Sequence, residues 1–560
     1  MNDSNVEELL SSNIAIFVAA TTGQGDDPDN MNMFFKTLWS LRKNRQLLEH
    51  LKFGVIGLGD SSYQKFNYSA KRLNNLLSYL GGNPILKIGL ADDQHDLGPD
   101  FVIDTWLKDL WLKLLEDFPL PPDIQPLSSN ILPPSKYKVN FSSVKNDDES
   151  EKKINFSNDG CKAFDIKNPY FSTVTKNDRV TAEDHFQDVR LIEFDISDID
   201  VRYKPGDVLM VQPTNLDEHV DEFLSVLGLD PDQVFSLELN DDNSSLPYNY
   251  MIQSPCTVRG CLKNYFDFMS VPKRYFFELL SFFTTDEQEK EKFLEFASSE
   301  GQQDLYDYCN RPKRSIMEVL ADFIHTKHNI PFQYLFDIIP PIKPRAYSIA
   351  SSSLAIPGKA QILAAVVNYR TILKRPRLGL CTNWLSKQDI GTRVPVWIKE
   401  GTLKFPELES SVDSNVIMIG PGTGCAPFRA FIQECIASES SIKLTLFFGC
   451  RNKSKDFFFG KEWNKLHSEG KLKLFVAFSR DQEDKIYVQH IMRENADELW
   501  EVISEDNTQI YFAGNAKRVP IDIHEALTFI CEKGLDDNKE FAEQYMKRNL
   551  EKRYQTETWA

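Results

Sequence analysis

The chain has 560 residues, 41% of them hydrophobic and 26% charged, and a formal net charge of −18 at pH 7. That length exceeds a single core and implies three or four domains. The acidic balance disfavours nucleic acid and anionic membranes as partners, and favours a basic partner or none.

Up to about residue 120, apolar strands alternate with helical segments. NIAIFVAATT, HLKFGVIGLGD and PILKIGLADD read as strands, while MNMFFKTLWSLRKN, YSAKRLNNLLSYLGG and FVIDTWLKDLWLKLLEDF have helical periodicity. Alternation of this kind predicts a parallel doubly wound sheet, whose ligands bind at the carboxyl ends of the strands. The turns found there, TTGQGDD, LGDSSYQKFN and ADDQHD, are small and carboxylate-edged. From 121 to 168, LPPDIQPLSS, ILPPS and KNDDESEKK replace periodicity with proline, serine and charge, which reads as a linker with some order at its ends. From 169 to 405, DVRLIEFDIS, DVLMVQP, AQILAAVVNY and TRVPVWIKEG predict a β-barrel, interrupted by a helical insert at about 216–338. From 406 to 560, SNVIMIG, IKLTLFFG, KLKLFVAFS and TQIYFAG return to parallel α/β. No apolar run reaches the ~18–20 residues of a membrane helix. MNDSNVEELL carries no signal-peptide pattern. Nine cysteines scattered without metal-ligand spacing fit a reducing, cytoplasmic compartment.

The sharpest motif is IGPGTGCAPFR, which sets Gly420, Gly422 and Gly424 between a strand and a helix. Glycines let the backbone approach a pyrophosphate, and the helix start supplies N–H groups. The same pattern also serves as a plain tight turn. Two later strand ends decide between these readings. Ser479 and Arg480 stand at one, and Lys485, Tyr487 and Gln489 follow. A hydroxyl, a guanidinium and an ammonium grouped with an aromatic suit an adenosine 2′-phosphate and its base. In the barrel, PRAYSIASS offers Arg345 for a phosphate, Tyr347 for stacking and the Ser348 hydroxyl for a ring, and RPRLGLCTNWL offers N–H donors at a helix start for a diphosphate. Singly, each also reads as ordinary strand or helix-cap sequence.

R-A-Y-S, G-L-C-T, G-P-G-T-G-C-A-P-F-R, S-R, K-x-Y-V-Q and the terminal QTETWA occur in the order found in the ferredoxin–NADP reductase superfamily. With a flavodoxin-like domain in front and a helical insert in the barrel, the chain resembles the diflavin reductases. Within these it is most similar to the NADPH-dependent diflavin oxidoreductase family of cytosolic iron–sulfur assembly. ATTGQGDDPDNM, LGDSSYQKFN, DDQHDLGPD, HFQDVRLIEFDI, YCNRPKR and RYQTETWA carry that likeness.

The resemblance implies a multidomain α/β protein: a flavodoxin-like FMN domain at 1–120, an FAD-binding β-barrel with a helical insert, and a parallel α/β NADP-binding domain. It implies that Lys313, Arg345, Ala346, Tyr347 and Ser348 bind FAD, with Gly379, Leu380, Cys381 and Thr382 on its pyrophosphate. Ser348 and Trp559 would serve catalysis, Trp559 by covering the flavin ring. NADPH would fall to Thr423, Ser479, Arg480, Lys485, Ile486, Tyr487, Val488 and Gln489, with Asp522 near the nicotinamide. FMN would be surrounded by Ala20, Thr21, Thr22, Gly23, Leu58, Gly59, Asp60, Ser61, Ser62, Tyr63, Gln64, Lys65, Phe66, Asn67 and Asp93. Electrons would run from NADPH through FAD and FMN to an iron–sulfur acceptor similar to anamorsin, steered by the acidic turns Asp26–Asp27, Asp60 and Asp92–Asp93. No metal, nucleic acid or membrane is implied.

Two departures qualify this. Ala513 stands where reductases of haem monooxygenases carry a cysteine, and Glu557 stands where some relatives have aspartate; Cys425, beside the glycine turn, reads as a packed small residue. The chain also begins at about the strand that follows the flavodoxin first strand, phosphate loop and helix. The FMN domain is therefore expected to be truncated, to expose apolar surface at a sheet edge, and to retain FMN weakly. Alternative functions are an FAD/NADPH diaphorase with a silent FMN module, a reductase for haem proteins, and a non-catalytic scaffold.

Overall fold

A computed structural model describes residues 6–22, 25–63, 65–95, 97–121, 123–125, 130–142, 164–199, 201–240, 245–408 and 413–559. It divides into two units, Met1–Leu132 with Ser298–Tyr306 and Thr558–Ala560, and Pro133–Ala297 with Asp307–Glu557.

In the first unit, Ile14–Ala20 and Lys52–Gly59 pair in parallel from Ile14↔Lys52 to Ala20↔Leu58, and Gly89–Asp92 pairs in parallel on the other side of Lys52–Gly59. Alternation along the first strand sends Phe17 and Ala19 into a core with Phe34, Phe35 and Leu73 from helices Asp29–Ser40 and Tyr68–Tyr79. The opposite face carries Ile16 and Val18, 40% and 55% exposed, on the edge strand of the described sheet. Helix Asp100–Asp117 covers the Lys52–Gly59 and Gly89–Asp92 side through Trp106 and Leu110.

Asn67 explains two glycines of VIGLG. It sits fully buried at φ 53°, a left-handed conformation that asparagine tolerates. Its Nδ2 donates to the Ala91 carbonyl at 2.9 Å. A Cβ on Gly57 would lie 2.5 Å from its Oδ1, and one on Gly59 2.9 Å away. Only bare backbone lets the amide into that position.

In the second unit, six antiparallel strands run in the order Arg345–Ser348, Val208–Val211, Arg393–Lys399, Tyr170–Arg179, Val189–Asp195 and Lys359–Ala365. An Ile349↔Ile362 bridge joins the two ends, with the Ala350 N–H donating to the Gln361 carbonyl at 2.7 Å. The sheet thus closes into the barrel read from the sequence, around Val174, Ile192, Phe194, Leu209 and Val394. The insert carries the expected helices. It also carries a strand, Val234–Leu239, that the helical reading did not include. That strand pairs antiparallel with Tyr137–Phe141.

The partner strand lies inside the stretch read as a linker. Its alternating Tyr137, Val139 and Phe141 provide a ladder, and Tyr137 is buried against Phe336 at 5.3 Å. Proline and charge around these five residues masked their alternation. The last block is a parallel sheet in the order Lys473–Phe478, Lys443–Cys450, Asn415–Pro421 and Thr508–Asn515, extended by Tyr554–Trp559. No helix among the described residues is long and apolar enough to cross a membrane.

Candidate flavin and nicotinamide sites

The strand ends of the first unit converge on a cavity of about 260 Å³ lined by Ala20, Thr21, Leu58, Gly59, Asp60, Tyr63, Lys65, Phe66, Asn67 and Asp93. Its turns lock one another. The Thr21 N–H donates to Leu58 O at 3.0 Å, and the Asp93 N–H to Gly59 O at 2.8 Å. The Ser61 N–H donates to Asp92 Oδ1 at 2.9 Å, and Gln94 Nε2 to Asp60 Oδ2 at 3.0 Å. Thr22, Ser61 and Ser62 build these turns without lining the cavity; Gly23 and Gln64 lie outside the described residues. Burial, and then the Asp60 carboxylate, raise the Tyr63 phenol above its ordinary range, so it stays neutral. A neutral aromatic, a second ring from Phe66 and backbone from glycine turns fit a flat, polar-edged ring such as isoalloxazine.

In the barrel, Arg345–Ser348 pairs with Val208–Val211 and leaves Arg345 and Ala346 exposed. The Tyr347 hydroxyl meets Cys381 Sγ at 3.3 Å, bringing the RAYS strand onto the Gly379–Thr382 turn at the start of helix Leu380–Ser386. Burial pushes the Cys381 thiol up to about 11, so it packs and does not react. Thr382 Oγ1 accepts from the Val367 N–H at 3.0 Å, which commits that hydroxyl to the turn.

Sequence reasoning missed Arg377. Its Nη1 donates to both carboxylate oxygens of Glu318, at 2.9 and 2.8 Å, and its Nε donates to Pro312 O, next to Lys313 in a left-handed turn at φ 54°. Its Nη2 is buried without a partner. An unused guanidinium N–H two residues before Gly379, against the Pro312 carbonyl, fits an anionic diphosphate. Arg377 was legible only as one arginine of RPRLG.

At the end of the RAYS strand, the Ser348 hydroxyl donates to Glu557 Oε2 at 3.2 Å. Burial raises the Glu557 carboxyl, and the Ser348 hydrogen bond partly opposes that shift. Trp559 is the last residue of its strand and is half-buried.

The nicotinamide module holds a cleft of about 790 Å³. Ser479, Ile486, Tyr487, Val488, Gln489 and Asp522 line it, with Pro421 and Gly422 at its glycine-rich end. Gln489 Nε2 and Arg518 Nε both donate to the Asp522 carboxylate, each at 3.2 Å. Thr423 does not line the cleft; it is half-buried in the Gly422–Cys425 turn. Arg480 and Lys485 stand exposed outside it.

Two contributors were not foreseen. Arg451 follows the Lys443–Cys450 strand, and Phe186 reaches over from the barrel hairpin, the guanidinium lying 3.8 Å from the ring centroid. Arg451 could have been found as another strand-end residue, whereas Phe186 carries no local signal. Cys425 is fully buried and its thiol is pushed up to about 12, which makes it the packed residue expected.

Candidate sites for two flavins and a nicotinamide nucleotide on one chain define a diflavin reductase. Comparison with known proteins agrees. Residues 1–106 match the family described as Flavodoxin, 162–384 the FAD binding domain and 418–519 the Oxidoreductase NAD-binding domain. A Xenopus laevis protein named NADPH-dependent diflavin oxidoreductase 1 is 47% identical, covering 100% of this chain and 94% of its own length. Proteins of that name from Mus musculus and Arabidopsis thaliana are 44% and 36% identical, covering 100% and 97% of this chain and 94% and 91% of their own. The chain belongs to the NADPH-dependent diflavin oxidoreductase family. It is an oxidoreductase whose cofactors are FAD and FMN and whose electron donor is NADPH.

Proposed function

We propose that this enzyme delivers electrons from NADPH to an iron–sulfur acceptor protein of cytosolic cluster assembly, in the cytoplasm. When bound, the flavins convert the two-electron donation of NADPH into single-electron delivery, FAD accepting first and FMN last. The chain's residues bind and orient. Ser479, with Arg480 and Lys485 beside it, takes the 2′-phosphate, and Tyr487 faces the adenine. Gly379 to Thr382, with Arg345 and Lys313, hold the FAD diphosphate. Tyr347 packs beside the flavin, and Ser348 with Glu557 keeps a proton at its edge.

The observation that carries the acceptor reading is the carboxylate rim of the FMN cavity. Asp60 and Asp93 line that cavity, Asp26 closes the turn that begins at Thr22, and Asp27 pairs with Arg72 at 3.4 Å. Exposed like charges beside a redox site steer a basic partner and add salt dependence.

The test is reduction of an anamorsin-like iron–sulfur protein by the purified chain, followed by the spectrum of its cluster. Flavin released from the same sample is resolved into FMN and FAD: similar amounts support the relay through FMN, and FAD without FMN leaves only the diaphorase reading. Asp26→Lys with Asp93→Lys should slow acceptor reduction at low salt about tenfold, while dye reduction through FAD is unchanged. An acceptor that stays oxidised while dye is reduced would leave only the diaphorase reading.

A separate prediction concerns nucleotide choice. Ser479→Ala with Arg480→Ala should raise the KM for NADPH roughly 10- to 100-fold, through loss of charge-assisted hydrogen bonds. The KM for NADH, which lacks the 2′-phosphate, should change little. Steady-state kinetics with both nucleotides read this directly.

A further inference from the structure

Helix Ala426–Ala437 rises directly out of the glycine turn Gly422–Cys425, and its fourth residue, Arg429, is only 7% exposed. Nη1 of Arg429 donates to the Ala350 carbonyl at 2.7 Å and to Gln361 Oε1 at 2.8 Å. Its Nε donates to Glu462 Oε2 at 2.9 Å, and its plane lies 4.3 Å from the Phe459 ring centroid. One turn further along the same face, Gln433 Oε1 accepts the Ser352 N–H at 3.1 Å, and the Glu434 carboxylate meets the Ser352 hydroxyl.

Ala350 and Gln361 flank the Ile349↔Ile362 bridge that closes the barrel. Ser348 is two residues before Ala350. A buried guanidinium, with Gln433 and Glu434 on Ser352, therefore ties the nicotinamide module to the barrel seam beside Ser348. A buried charge of this kind is a poor source of stability, since well-packed apolar residues often serve as well or better. What the guanidinium adds is direction, because its planar fork accepts few geometries. A helix rises ~1.5 Å per residue, so Arg429 stands only about 6 Å along the axis from Cys425, too close for the turn to move independently.

We propose that Arg429 is a positioning residue that holds the Gly422–Cys425 turn in fixed register with the Arg345–Ser348 strand, and so sets the approach of nicotinamide to the flavin edge. This rests on the reading above that the glycine turn serves NADPH and Ser348 the flavin. A misplacement of ~1 Å at such a junction costs about 10²-fold in rate.

The test compares full-length, FAD-loaded wild type with Arg429→Lys, which keeps the charge and loses the fork, and with Arg429→Met. Gln361→Leu is added, because it removes one acceptor while sparing the Glu462 pair. Three quantities are read: single-turnover flavin reduction by NADPH, the Kd for NADP⁺ by titration calorimetry, and amide hydrogen exchange over residues 345–352. Flavin reduction should fall roughly 30- to 100-fold in both Arg429 variants and several-fold in Gln361→Leu. The NADP⁺ Kd should stay within about threefold, and exchange should rise around Ala350. The proposal is overturned if any folded, FAD-replete Arg429 variant reduces its flavin within about twofold of wild type, or if the loss resides in Kd. If neither Arg429 variant folds, Gln361→Leu decides by the same criteria. Wild type that NADPH fails to reduce would overturn the underlying reading instead.

Discussion

Gly424→Ala should abolish NADPH-driven reduction while leaving FAD bound. A Cβ at this position would stand 2.0 Å from the Ala513 carbonyl oxygen and 2.8 Å from its carbon. Both are rigid backbone atoms of strand Thr508–Asn515, and real Cβ contacts do not go below about 3 Å. The turn must therefore lift off the strand, carrying with it Pro421 and Gly422, which line the nucleotide cleft. A backbone displacement of that kind removes the close approach that a pyrophosphate needs. The expected loss in kcat/KM for NADPH is at least ~10²-fold, on the order of 3 kcal/mol. Barrel contacts such as Tyr347–Cys381 are untouched, so FAD content should hold. Dye reduction kinetics together with FAD per mole of protein check both halves. An alanine variant with wild-type kcat/KM would mean that the turn does not carry the nucleotide.

The second large effect is expected at the pair formed by Ser348 and Glu557. Burial raises the Glu557 carboxyl, so it keeps its proton above the ordinary carboxylate range. In the folded state it binds a proton that the unfolded chain has already released over that interval. Stability should therefore fall as pH rises from the ordinary glutamate pKa through the raised one. Glu557→Gln removes this slope and should be no less stable at neutral pH. It also removes the titratable carboxyl that accepts the Ser348 hydroxyl, and flavin reduction should slow by about 10²-fold, the lower range for a positioned acid or base. The wild-type rate should decline as pH rises through the raised pKa, and Glu557→Gln should lack that limb. Ser348→Ala deletes the hydrogen bond that lowers the carboxyl pKa, so the limb should move to higher pH. Rate–pH profiles of the three proteins decide this, and an unchanged profile in Glu557→Gln would exclude Glu557 as the titrating group.

Much of the site was legible because its parts are local. A glycine turn between a strand and a helix, or a serine one residue past a strand end, is a short-range pattern with a short-range physical cause. Thus GPGTG, AFSRD and RAYS each lie at the strand boundaries their sequences predict. The linker reading was less complete, since Tyr137–Phe141 becomes a strand only through the ladder offered by Val234–Leu239. Thr423, which the resemblance assigns to NADPH, sits half-buried in the Gly422–Cys425 turn and does not line the cleft.

The sequence by itself determined the order of modules, their alternating or antiparallel character, and the small-residue turns at the strand ends. All of these follow from hydrophobic period and from turn residues within a few positions of one another. Only the tertiary structure decided which distant groups meet. Phe186 over Arg451, the unused N–H of Arg377 against the Pro312 carbonyl, Ser348 against Glu557, and Arg429 on the barrel seam join residues from separate elements. Partner choice at that range depends on barrel closure and helix docking, and no periodicity along the chain encodes it.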